Sequence, residues 1–568
     1  MTIESFTFDK GVNRKKSPLL LEEGELYDCR GFSYAHDGVL ETREPKNVKE
    51  AIDTTATSTI NGIHRYNDSI LASSKALCPG SQAYFNYIYQ RTLTGSFSNI
   101  DLMGGSLRPR FADYELFTFA VDGASRRAYV GANDYKWGVD NPVKGPTLTV
   151  GAGGNPDGDY SCYVTFYIKF PNDKYVETGP STASEITVSS TKIEWSNIPI
   201  CQYEGAGLVI HRRLYRTVSG TAYLVTTIPD NVTESYSDNE TDATLQAATV
   251  MGTEGYSTPP DYPTDVAIYL QRAFVIKDNK LYWSEAYAPF SFKTTSNITV
   301  TKEDEDLEGI VDWGDQLYIV SAERWYRLQG NDPDTWLIRR TFTDVGIINR
   351  ATLKRSKYGL LGLWNDGVYL FDGSINKNIT EKKLGAKFFT SLDDLSVCYS
   401  EFDGTKYYLY YASSGTTVDK CLVIDFTYYP EYRITFDDFI ATAHELYKEE
   451  NHRYLAYAGS EYEESGSETI ATYLKTGDRG FGNIIKRKAL NYLYYDIDTS
   501  DVDVTANIYC DGTLAQTLTL NTSSRTRKRS MPLKVIEGYR FSLELECSDS
   551  QDVSIYSPWV LEATPVGE

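Results

Sequence analysis

The chain has 568 residues, enough for three or four domains of usual size and for a sizeable core. Its 78 Asp and Glu against 56 Lys and Arg give a net charge of -22, which argues against a groove that grips nucleic-acid phosphates, because gripping needs cations. It leaves room for a surface that DNA slides past, since like charges repel. At 41% hydrophobic and 24% charged the composition is globular, and no apolar run reaches the about 18 residues of a membrane span.

The 45 Tyr and 42 Gly point to β structure with many tight turns. The cysteines stand at 29, 78, 162, 201, 398, 421, 510 and 547. None forms a CxxC pair or a zinc-ligand cluster, so they read as small buried hydrophobes in a reducing cytosol, although the even count permits disulfides.

The opening MTIESFTFDKGVNRKKSPLLLEEGELYD has no apolar signal core, because Leu19 to Leu21 is bracketed by Lys16 and Glu22. Residues 1–144 are predicted to hold N-terminal propeller strands and a platform. Residues 145–256 change character, with short alternating strands and turn clusters every ten or so residues, about seven strands in all. That is the pattern of a fibronectin- or immunoglobulin-like β-sandwich, bounded by Gly/Pro-rich stretches at 142–158 and 255–263.

Within it lies HRRLYRTVSGTAYLV (211–225), a basic hairpin in an acidic chain. Alternation puts Arg212, Leu214 and Arg216 on one face and His211, Arg213 and Tyr215 on the other, with Ser219-Gly220 at the turn. The arginine stems are expected to lie across tyrosine rings on the exposed face, as local sheet glue.

Residues 257–486 read as further propeller blades. Strand–turn–strand patterns recur at 273–285, 315–330, 359–373, 405–426 and 453–474, with a roughly 40–50-residue repeat. Asn365-Asp366-Gly367 supplies turn residues tolerant of positive φ. Stacked sandwiches are the competing architecture. Residues 487–568 are predicted to form a C-terminal β-sandwich-like domain. Its run Arg525, Arg527, Lys528 and Arg529 is expected as a solvated loop, with contact to an acidic neighbouring subunit as the alternative.

The sequence nominates no catalytic, cofactor-binding or metal-binding residue, and the chain is expected not to be an enzyme. GxSxG and GxxxxGK[ST] are absent, and His444-Glu445 lacks the second His of HExxH. Asn155, Asp157 and Asp159 resemble the start of a calcium loop, but Phe166 occupies its twelfth position, where a carboxylate is needed. The acidic run 302–309 reads as a solvated loop, and Asn239 is a glycosylation match only in a secreted protein.

Three stretches resemble one family. FDKGVNRKKSPLLLEEGELYDCRGFSYAHDGVLETREP (8–45) resembles the start of nozzle (tail tubular or hub) proteins of short-tailed bacteriophages. The insert is similar to a fibronectin type III-like module of phage virion proteins, through Arg213, Leu214, Tyr215, Arg216, Thr217, Gly220, Tyr223, Leu224, Ile228, Asp230, Tyr236 and Asp238. Residues 259–292 resemble the phage segment that reopens the propeller, through Arg272, Phe274, Leu281, Tyr282, Ser284, Glu285, Pro289 and Phe290. The resemblance implies a virion tail protein assembled in the host cytoplasm. It implies a homo-hexameric ring below the portal and adaptor, with viral DNA passing through the lumen without specific binding. A carbohydrate-binding or depolymerising propeller, as in a tail fibre or spike, is the alternative.

Overall fold

The computed structural model describes residues 2–566 apart from 54–57, 78–82, 204, 253–255, 448–451, 466–467, 531–534 and 551, so Cys78 lies outside the described residues. The fold is all-β and propeller-like, with 55% of residues in strands and 3% in helix. Ten sheets are formed among the described residues, five of them with four strands, and nearly all of the pairing is antiparallel. The chain divides into two compact units: Met1–Arg65 with Ala322–Arg324 and Thr341–Glu568, and Tyr66–Ser321 with Trp325–Arg340. Pairing between distant strands builds them, so neither coincides with one of the four segments set out above.

In the second unit, three meanders show the blade pattern. They are Arg110–Tyr114 through Asn133–Lys136, Asp265–Tyr269 through Ala288–Thr299, and Leu307–Trp313 through Leu337–Arg340. Their strands alternate apolar and polar residues, and the apolar faces carry Phe117, Phe119, Phe274, Leu281 and Leu317, all fully buried. Asp278 and Asp315 turn the hairpins at φ 51° and 57°, a conformation Asp tolerates better than most residues.

Between the first two of these meanders the chain leaves to form two further sheets. One joins Thr147–Gly153, Thr191–Ser196 and Tyr236–Asp238. The other is built on Gly158–Lys169 and Val209–Val218. Exit and return meet at Gly138, whose φ is +96° and where a Cβ would stand 2.7 Å from Pro259 Cδ. The Trp137 indole there donates to the Pro289 carbonyl at 2.8 Å. The long strand Gly158–Lys169 serves two cores. Cys162 and Val164 pack within the sandwich, whereas Phe166, Ile168 and Phe170 pack on the blades, where Phe170 stacks on Phe290 at 4.1 Å.

In the first unit the meander Lys354–Ser356 through Asn376–Asn378 is a separate four-stranded sheet. Here one expectation changes. None of Asn365, Asp366 and Gly367 takes a positive φ. Gly367 is required instead for close approach, since a Cβ would lie 2.5 Å from Thr380 Oγ1.

The rest of this unit weaves the two ends of the chain together. Thr2–Phe6 pairs antiparallel with Trp559–Pro565, and Val39–Thr42 pairs with Ser554–Tyr556. Glu25–Arg30 lies between Arg433–Asp437 and Ile470–Thr476. Asn47–Ala51 completes the sheet formed by Ala443–Tyr447, His452–Tyr457 and Ser460–Glu463. The strands of 488–565 are shared between two sheets, and both sheets also hold strands from the first 42 residues. Between these sheets lies a core that includes Phe6, Phe8, Leu26, Leu40, Leu493, Ile508, Leu543 and Trp559.

Trp559 is fully buried, with its indole nitrogen on the Asp496 carbonyl at 3.1 Å and its ring 5.7 Å from Tyr495. Trp559→Ala is expected to cost about 3–5 kcal/mol in denaturant unfolding. Ile3→Ala, on a side chain 63% exposed, should stay within about 0.5 kcal/mol.

Candidate functional site

Each of the three motif stretches is tied into the fold by buried polar contacts. At the N-terminal one, Gly11 has φ +73°, and a Cβ there would stand 2.6 Å from the Ile434 nitrogen. Val12 enters the core. Asn13 is buried and donates through Nδ2 to Glu25 Oε1 at 2.8 Å, while its Oδ1 accepts from the Lys15 nitrogen at 3.1 Å. The same Glu25 carboxylate accepts from the Lys383 ammonium at 3.0 Å and the Glu22 nitrogen at 3.0 Å. Burial alone would raise its pKa, but these donors hold it down at about 2. The residues that carry the resemblance here therefore tie the chain's start to residues some 360–420 positions later.

The insert motif is a second seam, and it corrects the expectation for the basic hairpin. The turn at Ser219-Gly220 forms as expected, with φ 51° and 85°. Arg212 and Arg216, however, are fully buried. The strand face that holds Leu214 looks into the sandwich, and the two guanidiniums go in with it. Arg212 donates to the carbonyls of Asp230, Pro199 and Thr233 at 3.1, 3.2 and 2.6 Å. Arg216 Nε lies 2.8 Å from Asp238 Oδ2, an ion-pair distance at an angle outside hydrogen-bond geometry. Arg216 also donates to Asp242 Oδ1 and to the Glu240 carbonyl, each at 2.8 Å, and stacks 4.3 Å from the Tyr160 ring. Burial pushes the Asp238 carboxyl up, and Arg216 opposes that rise. Arg213 alone keeps the expected outer position, 3.6 Å above the Tyr167 ring and paired with Glu177 at 2.6 Å.

At the third motif Ser284 is buried, accepts from the Ala273 nitrogen at 2.9 Å and donates to the Glu285 carbonyl at 3.0 Å. Arg272 donates to the Ser284 carbonyl at 2.8 Å, and Lys293 pairs with Glu285 at 3.0 Å. These polar residues close a hairpin.

A pocket of about 50 Å³ opens in the first unit, among Tyr34, Arg43, Lys46, Lys406, Tyr408, Asp425, Asp437, Arg453 and Glu464. Ligand sites usually measure about 300–1,000 Å³, so this one suits ordered water. Most of its charges are already spent on one another. Arg43 holds Asp437 at 2.7 Å and Glu468 at 2.9 Å. Arg453 donates to Asp403 at 3.1 Å and pairs with Glu464. Burial lowers the Lys46 pKa, and Asp437 partly offsets this. Asp425 accepts from the Thr427 nitrogen at 2.7 Å through one oxygen, and its other oxygen has no hydrogen-bond partner among the described residues. No pair of free carboxylates faces a substrate-sized space here.

The residues weighed for chemistry do not converge. His444 is buried beside Tyr410, and burial pushes its pKa well below the ordinary imidazole value. Glu445, one position on, points the other way to His64 at 2.8 Å. Asp159 accepts from Thr187 at 2.5 Å, and Asp157 accepts from the Ser190 nitrogen at 3.3 Å. Asn155 bonds Asn239, whose own amide thereby becomes part of the loop. Among the described residues no three His, Cys, Asp or Glu are placed to hold a metal ion. The basic run is also corrected. Thr526–Ser530 is a strand on Lys488–Asp498, because Arg525 and Arg527 both reach the buried Asp496 carboxylate, at 2.8 and 2.5 Å.

No family model and no curated protein matches the chain. Solved structures do resemble it. The exo-beta-1,3-galactanase of Phanerochaete chrysosporium is 11% identical over 91% of this chain and 100% of its own, with a TM-score of 0.21. The Sqt1 protein of Chaetomium thermophilum is 8% identical over 75% and 95%, with a TM-score of 0.28. A family 43 arabinoxylan arabinofuranohydrolase of Bacillus subtilis is 9% identical over 91% and 99%, with a TM-score of 0.18. The expectation that the chain is not an enzyme is withdrawn on this finding, because glycoside hydrolases are among the structures that resemble it. At such identities the likeness concerns fold and assigns no reaction.

Two seams can be tested. Arg216→Met leaves Asp238 buried without its cation and is expected to cost about 3–5 kcal/mol, whereas Arg216→Met with Asp238→Leu should recover most of that loss in chemical denaturation. For Glu25 the folded pKa lies below its ordinary 4.5, so its stabilisation is present above that value and fades as pH falls towards about 2. Glu25→Gln should thus cost about 1–3 kcal/mol at neutral pH, and the gap from the parent protein should close across that acid window.

Proposed function

We propose that the chain is a structural wall protein of a short-tailed bacteriophage tail, one copy of a ring below the portal and adaptor through which the genome leaves the capsid. The observation that carries this reading is the seam at Gly11, Asn13 and Glu25. The stretch that resembles nozzle proteins is the stretch that locks the first residues onto strands near the other end. A wall around moving DNA has to resist unravelling, and a strand such as Glu25–Arg30, paired on both sides, does so better than a loose one.

The charge supports the same role. Many cations are held inward by carboxylates or carbonyls, as at Arg212, Arg216, Arg43 and Arg453. A chain with net charge -22 and these four arginines so engaged offers DNA fewer cations to stick to. The sugar-binding alternative draws less support. Trp283, Trp325 and Trp336 are buried, where they cannot stack on a sugar ring.

The test is cryo-electron microscopy of virions made in the host, with mass spectrometry of the same particles. The expected result is this chain in a ring beneath the portal, with a lumen wall richer in Asp and Glu than in Lys and Arg. Virions that lack the chain would defeat the placement, and a lumen lined mainly by Lys and Arg would defeat the charge argument.

A further inference from the structure

Two edges of one sheet have no further strand on them among the described residues. Thr2–Phe6 pairs there with Trp559–Pro565 alone. Across the same sheet, and again among the described residues, Thr526–Ser530 pairs only with Lys488–Asp498. An unpaired edge presents a row of backbone donors and acceptors that another polypeptide strand can take.

The two edges are chemically complementary. On the second, Arg525 lies 3.8 Å over the Tyr556 ring and Arg529 lies 3.1 Å over Tyr492. Arg527 is 76% exposed above Asp496, and Lys528 is exposed with no ion pair among the described residues. The first edge carries Glu4 and the 63% exposed Ile3. Beside the second edge Val535 is 81% exposed. Each edge thus shows an uncovered aliphatic side chain, and the two charges have opposite sign. The register also matches. Glu4 stands opposite Leu561, Leu561 opposite Leu493, and Leu493 opposite Ser530, so Glu4 shares a sheet face with Ser530 and with Lys528 two residues back.

We propose that the edge Thr526–Ser530 of one copy takes the edge Thr2–Phe6 of a second copy of this chain, continuing the sheet from copy to copy. Such a head-to-tail contact uses different patches on the two partners, and it closes into a ring or runs on as a filament. DNA is a poor occupant, because a strand edge offers backbone pairing that a duplex does not use. Although both copies are acidic, charges more than about 8 Å apart are largely screened at physiological salt, so close pairs at the contact dominate. The contact would serve the ring reading, yet its test uses the isolated chain and does not depend on where the protein resides.

The test is sedimentation velocity of the full chain in about 0.05 M and about 0.5 M salt. The chain is expected to self-associate, more strongly in the lower salt. Lys528→Glu alone and Glu4→Lys alone should each weaken association roughly tenfold, and the double swap in one chain should restore it. Lys528 has no ion pair among the described residues, whereas Glu4 acts electrostatically on the buried Lys488. Glu4→Gln, which adds no cation there, therefore accompanies Glu4→Lys and should weaken association in the same direction, and circular dichroism checks the fold of each variant. A chain that stays monomeric at low salt up to about 100 μM would overturn the proposal. Arg527 and Lys528 would then be guards that keep the edge unpaired. Association unaffected by either substitution would overturn it equally.

Discussion

Antiparallel pairing between the first and last strands is the constraint on which the first unit depends. Thr2–Phe6 on Trp559–Pro565 joins residues more than 550 positions apart. Closing so long a loop costs chain entropy, but that cost grows only slowly with length. A continuous core offsets it, with Trp559, Phe6 and Phe8 buried together. Once this pairing is made, Glu25–Arg30 can sit between strands from the 430s and 470s, and the N-terminal motif can reach Lys383 and Ile434.

The same logic governs charge. An acidic chain could have scattered its arginines over the surface as weak partners for its many carboxylates, where each exposed pair is worth little. Several are instead taken inside and surrounded. Arg212 satisfies loop carbonyls, and Arg216 meets Asp238 with both side chains fully buried. Such groups do not so much add stability as fix which loops lie where, since a misplaced loop would leave a buried cation without partners. The outer surface is left with carboxylates such as Glu303 and Asp304, which are exposed.

Much of this architecture was legible in the sequence. Alternation marked the hairpins of the blades and the sandwich strands, and Ser219-Gly220 marked its turn, because these signals are local. Alternation also grouped Arg212, Leu214 and Arg216 correctly, but it cannot say which of two faces is inside. Residue type misleads there, because arginine is usually exposed. Residues 525–529 looked like a loop because the carboxylate that orders them, Asp496, is some 30 positions away. Pairing between the chain's ends leaves no local trace at all. The resemblance motifs flagged Gly11 and Asn13 without revealing that Ile434 and Glu25 are what they touch.

Propeller-like folds serve enzymes, scaffolds and binding proteins alike, so what the chain does has to be argued from its seams, edges and charge. The seams come first, because a wall that holds both its ends within shared sheets is the feature from which the proposed role follows. Native-state hydrogen exchange tests that feature most directly. The amides of Thr2–Phe6 that bond Trp559–Pro565 should exchange as slowly as those of the core strand Lys488–Asp498, because both open only when the unit unfolds. Exchange of the Thr2–Phe6 amides at rates typical of a fraying terminus, while Lys488–Asp498 stays protected, would contradict it.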